Sequence, residues 1–443
     1  MSHQNSAQDA REGALVAPSE PTFGSYFVSA YPPFGCWSAA EVAGLAQLLE
    51  RPAAPVPLGL YVHVPFCVQR CQYCYYLAYD GRAGAREPYL TALGDELELY
   101  TRQPLLAGRE LDFVYFGGGT PSSLSAPQIE RLFTLLQRHT SWAAVREITF
   151  ECAPRSVTEE KARVLKAAGV NRISLGVQQL DDAVLTLSGR VHLVADVERA
   201  YKVLRRAGFD LLNLDLMVGL PGESEESFQR SLERVLALAP ESVTLYQLEI
   251  PHNTPLYRRM HAEPGLDEPA SWPAKHARTT RGFERLAAAG YELRSAYAAF
   301  RGAQHRAFVY QDEQYAGADL LGIGVSAFSY LAGTHFQNVA RLEGYLESLA
   351  CATRPVARAH ALSERERFVR EFVLQLKLLR VPLARLEQKF GRPLLATLVE
   401  PLRRCAAAGW LQITDEAITL TPQGIPRVDR ILPEFFLPPP LRR

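Results

Sequence analysis

The chain carries no excess of charge of either sign. Lys+Arg and Asp+Glu both number 48, for a formal net charge of zero. Without a basic surplus, nothing points to nucleic acid or to an anionic membrane surface as a partner. No run is long and apolar enough to span a bilayer. The first residues, MSHQNSAQDAREG, are polar and lack the apolar core of a secretion signal. Cysteine is scarce as well. Seven cysteines in 443 residues form no even framework, which argues against a disulfide-stapled fold. They suggest a reducing compartment, so a cytoplasmic location is expected. There is no internal repeat of fixed period, and no low-complexity tract beyond short Ala-rich pieces. What remains is an ordinary globular composition, 47% apolar, with length enough for two or three modules.

Against that scarcity, three cysteines crowd into eight residues. Cys67, Cys71 and Cys74 lie in YVHVPFCVQRCQYCYY with the spacing C-x3-C-x2-C. Thiolate is a soft ligand, so the trio reads as a metal site. A closed zinc site takes four ligands, usually in two pairs. No fourth Cys or His follows closely here. A zinc site completed by a distant His therefore stays open, as do three ordinary buried cysteines. A [4Fe–4S] cluster normally takes four cysteines; three would leave one iron free for another ligand.

The chain around the trio alternates strand and helix. Residues 1–21 read as a disordered tail, and 22–57 as an extension whose aromatics (YFVSAYPPFGCW) pack on the barrel. Ser38 is placed to cap a helix reaching Leu49. From 58 to 251, six apolar strands alternate with helices over 86–100, 126–139, 159–168, 194–207 and 225–238. That pattern means a parallel sheet with helices outside, and its length fits six units curved into a partial (β/α)6 barrel. Ligand chemistry then belongs at the strand C-terminal ends. Those ends carry Gly117-Gly118-Gly119-Thr120-Pro121, Glu151-Cys152, Gln178 followed by Arg190 and His192, and Asp215. Glycines let backbone approach a ligand. An acid alternating with apolar residues inside a parallel strand is expensive to bury unless it is used. Glu249 is a second inward acid of this kind. A Pro-rich loop (251–273), a helix over 275–289 and a strand over YELRSAYAAF come next, and the barrel with its closing segment is taken to end at 345. Residues 362–430 read as helices followed by a hairpin, a winged-helix-like α+β domain, with a tail over 431–443.

The cysteine spacing, with an aromatic residue before the last cysteine, resembles the radical SAM superfamily. YVHVPF and the ordered series of strand-end motifs resemble one branch, that of oxygen-independent coproporphyrinogen III oxidase and its haem-chaperone relatives. The resemblance runs over about residues 58–430. It implies that Cys67, Cys71 and Cys74 hold a [4Fe–4S] cluster whose open iron chelates S-adenosylmethionine (SAM). It places Gly118, Gly119 and Thr120 at the methionyl amino group and makes Glu151 a SAM-contacting carboxylate. Gln178 and Arg190 match positions that hold the ribose and carboxylate, and Asp215 is implied at a ribose hydroxyl. Tyr61 is placed close to the cluster. The block Gly317–Phe328 resembles the segment that closes over the adenosyl group, with Phe328 against the adenine.

At one point the chain departs from the oxidase pattern. Where the oxidase has a fourth cysteine in C-G-C, this sequence reads Cys74-Tyr75-Tyr76. Three outcomes are thereby implied: oxidation of a porphyrinogen or another metabolite, methyl or methylene transfer using two SAM molecules as in class C methyltransferases, or haem carriage by a chaperone. The last offers His252, His261 and Cys351 as candidate ligands. A small-molecule substrate and an electron donor such as flavodoxin or ferredoxin are the expected partners.

Overall fold

The computed structural model describes residues 30–262, 265, 268–302 and 307–438. The expected tail over 1–21 and residues 22–29 of the extension lie outside the described residues.

Helix α1 (Gly44–Leu49) precedes strand β1 (Leu58–Val64). Six β-α units build the barrel, as the alternation predicts. They are β1 and α2 (Arg86–Thr101), β2 (Phe113–Gly118) and α3 (Ala126–Gln137), and β3 (Glu147–Cys152) and α4 (Glu159–Ala167). Strand β4 (Arg172–Gln178) is followed by two helices, α5 (Asp182–Leu187) and α6 (Val194–Arg206). Periodicity over 194–207 reveals only the second. The first is a six-residue turn nucleated by Asp181, whose Oδ1 accepts from the backbone of Ala183 and Val184. Strand β5 (Leu211–Val218) leads to α7 (Glu225–Leu238), and β6 (Ser242–Gln247) to α8 (Pro255–Ala262) and α9 (Trp272–Ala288). Helix α9 begins three residues before the expected 275, because Pro273 sits in its first turn, where a missing N–H costs nothing.

Strands β1 to β6 pair in parallel and in order. Their buried rows pack under the helices in one continuous core, giving the partial barrel expected. The stretch YELRSAYAAF is not one strand. Ser295 Oγ accepts from the N–H groups of Tyr297 and Ala298 and turns the chain. Two short antiparallel strands result, β7 (Glu292–Leu293) and β8 (Ala298–Phe300), and β8 runs antiparallel to β6. After α10 (Val309–Tyr315), β9 (Asp319–Ile323) joins the free side of β1 as a seventh parallel strand. Antiparallel β10 (Phe328–Leu331), β11 (Thr334–Asn338) and, after α11 (Leu342–Ala350), β12 (Val356–Ala361) extend that side. The sheet therefore runs past the expected boundary at 345. Residues 34–38 cover it there: Ser38 bridges to Ala359, and Trp37 stacks on His335 at 4.8 Å.

A buried carboxylate ties this extension to the barrel. Glu96 on α2 accepts from Gly324 N (2.7 Å), Asn338 Nδ2 (2.6 Å) and Tyr345 OH (2.6 Å). Burial raises its carboxyl to about 7, with the three hydrogen bonds opposing.

A second apolar cluster organises the C-terminal unit. It contains α12 (Glu364–Leu376), which starts at a capping box of Ser363 and Glu366, and β13 (Arg380–Pro382). Helices α13 (Leu383–Phe390), α14 (Arg392–Ala396) and α15 (Val399–Ala407) lead to the hairpin β14 (Leu411–Ile413) and β15 (Ala417–Leu420). The three strands pair as β13-β15-β14, the wing of a winged-helix-like arrangement. The expected tail from 431 is packed as far as Leu437. Helix α16 (Val428–Ile431) and the turn after it bury Ile431, Leu432 and Phe435, the last against Phe372 at 4.8 Å. No described helix is long and apolar enough to cross a membrane.

Candidate functional site

Strand β1 runs straight into the cysteine loop. The loop is pinned where it closes: Cys67 N donates to Tyr79 O (3.0 Å) and Tyr79 N to Pro65 O (2.6 Å). Farther out, Gln72 N donates to Ser188 O, and Arg70 Nη2 to Cys74 O at 2.8 Å. Cys67, Cys71 and Cys74 are half-buried, free thiols. Cys67 Sγ lies 3.3 Å from Thr120 Oγ1, and Cys71 Sγ accepts from Arg190 Nη1 at 3.3 Å. Burial pushes the Cys67 thiol up against the opposing Thr120 hydrogen bond, and raises Cys74 to about 11. Metal uptake therefore releases protons here. Among the described residues, no three His, Cys, Asp or Glu side chains converge on a single metal ion. That disfavours zinc. A cluster presents separate irons at separate corners, so three spread thiols, one backed by a cation, suit it.

The glycine run closes the loop from the other side. Gly119 N donates to Val64 O and Thr120 N to Phe66 O, at 2.9 and 2.8 Å. Gly118 has φ +110°, and a Cβ there would lie 2.7 Å from the His63 ring. A Cβ on Gly119 would stand 3.0 Å from the backbone of Phe66. Side chains would fill this cradle, so only glycine leaves the backbone accessible. Behind it, His63 is held neutral by burial, which lowers it to about 4. Its Nε2–H donates to Leu77 O (3.3 Å), so its Nδ1 accepts from Tyr61 OH (3.2 Å). Tyr61 also stacks on Tyr115, with centroids 6.1 Å apart.

The next strands deliver the acids. Tyr115 OH donates to Glu151 Oε1 at 2.6 Å. Asp215 accepts from Ser174 Oγ (3.0 Å) and Asn213 Nδ2 (2.7 Å), while Asn213 Oδ1 accepts from Ser242 and Thr244. This ladder pairs the polar groups the strands bury. Burial raises Glu151 to about 7, Tyr115 opposing and the Asp215 charge adding to it. Asp215 rises to about 6 by burial, against its hydrogen bonds. The pair thus shares a barrel mouth where one carboxyl influences the other. Glu249 lies just past β6, in the field of Lys275.

Strand β4 ends irregularly. Its register with β5 shifts between Gly176 and Gln178, and Gln178 has φ +67°. Gln178 Oε1 is buried without a partner, as is Arg190 Nε. Buried polar atoms are rarely left so, and both fit a polar ligand. Arg190 Nη2 donates to Gly176 O (2.6 Å) and to His192 Nδ1 (3.2 Å), and His192 Nε2–H donates to Val177 O (3.0 Å). Burial and the Arg190 charge lower His192 to about 3, so it stays neutral. The sequence alone assigns His192 no role; its position two residues after Arg190 is the available signal.

The structure thus gathers Tyr61, Gly118, Gly119, Thr120, Glu151, Gln178, Arg190 and Asp215 around the three cysteines. Phe328 starts β10, its backbone beside Gly322 near the end of β9, level with Tyr61 of β1. Its ring stacks on Phe34 (4.6 Å, 19°) and meets Trp37 edge-on (5.7 Å), both in the segment that covers β10 to β12. Of the alternative haem-ligand candidates, His252 is exposed before α8, His261 is exposed on α8 with Nδ1 near Tyr257 O, and Cys351 is exposed after α11. Cys152 is buried in the main core.

The mouth also carries a tyrosine rim that the motifs do not announce. Tyr75 and Tyr76 stack at 4.5 Å, Tyr115 meets Tyr310 at 4.4 Å, and Tyr246 is 39% exposed at the mouth. The available signal is strand parity. Tyr115 stands two residues before Gly117, on the inner face.

Comparison with known proteins agrees with this geometry. The family model described as the Radical SAM superfamily matches residues 61–235, and that of the HemN C-terminal domain matches 362–427. The chain is 31% identical to the heme chaperone HemW of Bacillus subtilis over 374 residues, 82% of this chain and 95% of that protein. It is 30% identical to the oxygen-independent coproporphyrinogen III oxidase of Pseudomonas aeruginosa over 410 residues, 86% and 85% of the two. Among solved structures, coproporphyrinogen III oxidase (HemN) from Escherichia coli matches with a TM-score of 0.80 and 27% identity, covering 92% of this chain and 96% of that one. With its cysteine trio, glycine cradle and strand-end residues in one place, the chain belongs to the radical SAM superfamily, in the HemN-like branch that holds both coproporphyrinogen oxidases and HemW, and its cofactors are a [4Fe–4S] cluster and SAM.

Proposed function

We propose that this chain is a radical SAM enzyme acting on a porphyrinogen, a carboxylate-bearing tetrapyrrole. The observation that carries the reading is the barrel mouth itself: an acid pair, Glu151 and Asp215, set beneath a rim of tyrosines and directly beside the cysteine loop. Flat aromatic rings with polar tips suit a broad, electron-rich macrocycle. When bound, the cluster and SAM supply reductive cleavage of the sulfonium and a 5′-deoxyadenosyl radical that abstracts hydrogen from substrate carbon.

The chain's own residues bind, orient and shield. Cys67, Cys71 and Cys74 hold the irons. Arg190, kept in place by Gly176 O and His192, offers its guanidinium to the SAM carboxylate. Gly118, Gly119 and Thr120 present backbone and hydroxyl to the amino group, joined by Glu151. Gln178 and Asp215 take the ribose. Tyr61 acts through His63 to hold the loop. A flavodoxin- or ferredoxin-type donor supplies the electron.

The test is anaerobic. Reconstituted, reduced protein is given SAM with and without coproporphyrinogen III. 5′-Deoxyadenosine that rises with coproporphyrinogen and accompanies decarboxylation supports the oxidase. S-Adenosylhomocysteine formed alongside it moves the reaction to methyl transfer and brings a second SAM. A cluster without turnover, with haem retained and passed to an apo-acceptor, supports a second reading, haem carriage. That reading is favoured by the 95% coverage of the B. subtilis HemW sequence.

A further inference from the structure

Strands β4, β5 and β6 carry a stack of polar residues. Ser174, Asn213 and Ser242 stand level with one another, and Gly176, Asp215 and Thr244 form the next level toward the mouth. One level below, on the same face of β4 as Ser174, is Arg172. It is 2% exposed. Its Nη2 donates to Ser242 Oγ (3.3 Å), and its Nε and Nη1 have no partner among the described residues. The guanidinium lies against the rings of Phe308 and Phe300, 4.1 and 5.3 Å from their centroids. Glu147, at the start of β3, is committed elsewhere. It accepts from the N–H groups of Val309 (3.1 Å) and Tyr310 (3.2 Å) and from Thr149 Oγ1 (3.2 Å). A cation buried without a carboxylate beside it is expensive, and an apolar side chain would fill the space more cheaply. The charge calls for a use.

The hydrogen bonds leading away from Arg172 have one direction. An arginine only donates, so Ser242 Oγ accepts from it, and the Ser242 hydroxyl donates in turn to Asn213 Oδ1 (2.7 Å). Thr244 Oγ1 donates to the same oxygen (3.0 Å). With Oδ1 engaged, the Asn213 amide turns its Nδ2 to Asp215 Oδ1 (2.7 Å) and to Ser174 Oγ (3.0 Å). Ser174 Oγ then donates to Asp215 Oδ2 (3.0 Å). Both oxygens of Asp215 meet donors, a setting that suits the carboxylate and not the acid. Burial pushes the Asp215 carboxyl up, its hydrogen bonds and then the Arg172 charge oppose, and it lies at about 6. The other ionisable groups around it are Glu151 on β3, Tyr115 on β2, Tyr246 on β6 and Tyr76 beside the cysteine loop. Arg190 bonds the carbonyl of Gly176, level with Asp215, and is also turned to Cys71 Sγ.

We propose that Arg172 is a positioning residue of the SAM site: acting through Ser242 and Asn213, it holds Asp215 in place as a pure hydrogen-bond acceptor. The proposal rests on the reading of Asp215 as a partner of the SAM ribose, to whose hydroxyls such an acceptor is complementary. Arg172 acts from one level below the Ser174–Asn213–Ser242 row, inside the protein, where water screens its charge least.

Two titrations of the reconstituted full chain test it. The first needs no ligand. Infrared difference spectra against Asp215→Asn isolate the carboxyl band of Asp215 as the pH is lowered. Its midpoint is expected at about 6 in the parent and about one unit higher in Arg172→Met, an apolar side chain. Arg172→Lys, which keeps the charge, should move it back toward the parent. Ser242→Ala cuts the relay and leaves the cation in place, so it should raise the midpoint by less. It also carries the test if Arg172→Met fails to fold. A midpoint unchanged in Arg172→Met, or in Ser242→Ala where only that variant folds, overturns the proposal. The second titration measures SAM affinity by equilibrium dialysis over the same range. Affinity should follow the same midpoints, so that Arg172→Met binds SAM about fivefold more weakly than the parent at about pH 6 and equally well in mild alkali. Weakening by one factor at every pH, with the infrared midpoint fixed, would make Arg172 a structural residue and overturn the proposal. An infrared shift with SAM affinity indifferent to pH and to Asp215→Asn leaves the relay standing and fails the ribose reading of Asp215.

Discussion

Replacing Gly118 by Ala should damage the site through two separable terms. The first is backbone: φ at this residue is +110°, which costs a side-chain-bearing residue about 1–3 kcal/mol. The second is steric. The new Cβ would lie 2.7 Å from His63 Cε1 and Nδ1. That ring cannot simply swing away, because Tyr61 OH and Leu77 O hold both nitrogens. Overpacking of this kind costs about 1–3 kcal/mol. The variant should therefore lose about 2–6 kcal/mol, a large share of a typical folding free energy. The assay is urea unfolding of the cluster-free chain, run as a double-mutant cycle with His63→Ala. Removing the ring abolishes the steric term and leaves the backbone term. The cycle should thus return a coupling of about 1–3 kcal/mol. A Gly118→Ala protein within about 0.5 kcal/mol of the parent, or a coupling of zero, would refute the reasoning.

The same geometry sets three further outcomes. Cys71→Ala should abolish iron incorporation and SAM cleavage while leaving circular dichroism unchanged; 5′-deoxyadenosine formed at the parent rate would remove Cys71 from the ligand set. Asp215→Ala should weaken SAM binding in equilibrium dialysis while iron and sulfide content hold, whereas equal loss of both would make Asp215 structural. Glu96 provides a pH test. Its folded-state pKa, about 7, lies above its ordinary 4.5, so its contribution to stability is fullest below 4.5 and is lost as pH rises through 7. The stability of the parent relative to Glu96→Gln should therefore fall by about 3 kcal/mol across that window, and a flat difference would contradict the burial argument.

The parts legible in the sequence were those governed by local pattern. Alternating apolar strands and amphipathic helices announced the six strands and the helices after the first five, though not α8 inside the expected loop, and the cysteine spacing with its glycine run announced the candidate site. The rest depended on partners distant in the chain. Nothing local says that Asp319–Ile323 will pair with β1, or that Phe328 will therefore stack on Phe34. Ser295 breaks an expected strand through a side-chain hydrogen bond that periodicity does not register. His192 looks like a bystander in sequence because its value lies in what it does to Arg190. Residues 431–435 read as a tail because so short an apolar stretch has no period, yet Phe435 has its partner in Phe372.

Arg190 donates from one nitrogen to the sulfur of Cys71 and from another to the carbonyl of Gly176. One side chain thus belongs to the cysteine loop and to the end of β4 at the same time. If the cluster and SAM both engage this residue, as proposed, their binding is coupled, and linkage makes the effect mutual. Whatever the assembled cluster adds to the affinity for SAM, SAM must return as resistance of the cluster to loss of iron. A chelator should strip iron more slowly from the protein in saturating SAM than from the protein alone, and Arg190 is the residue through which that protection would pass.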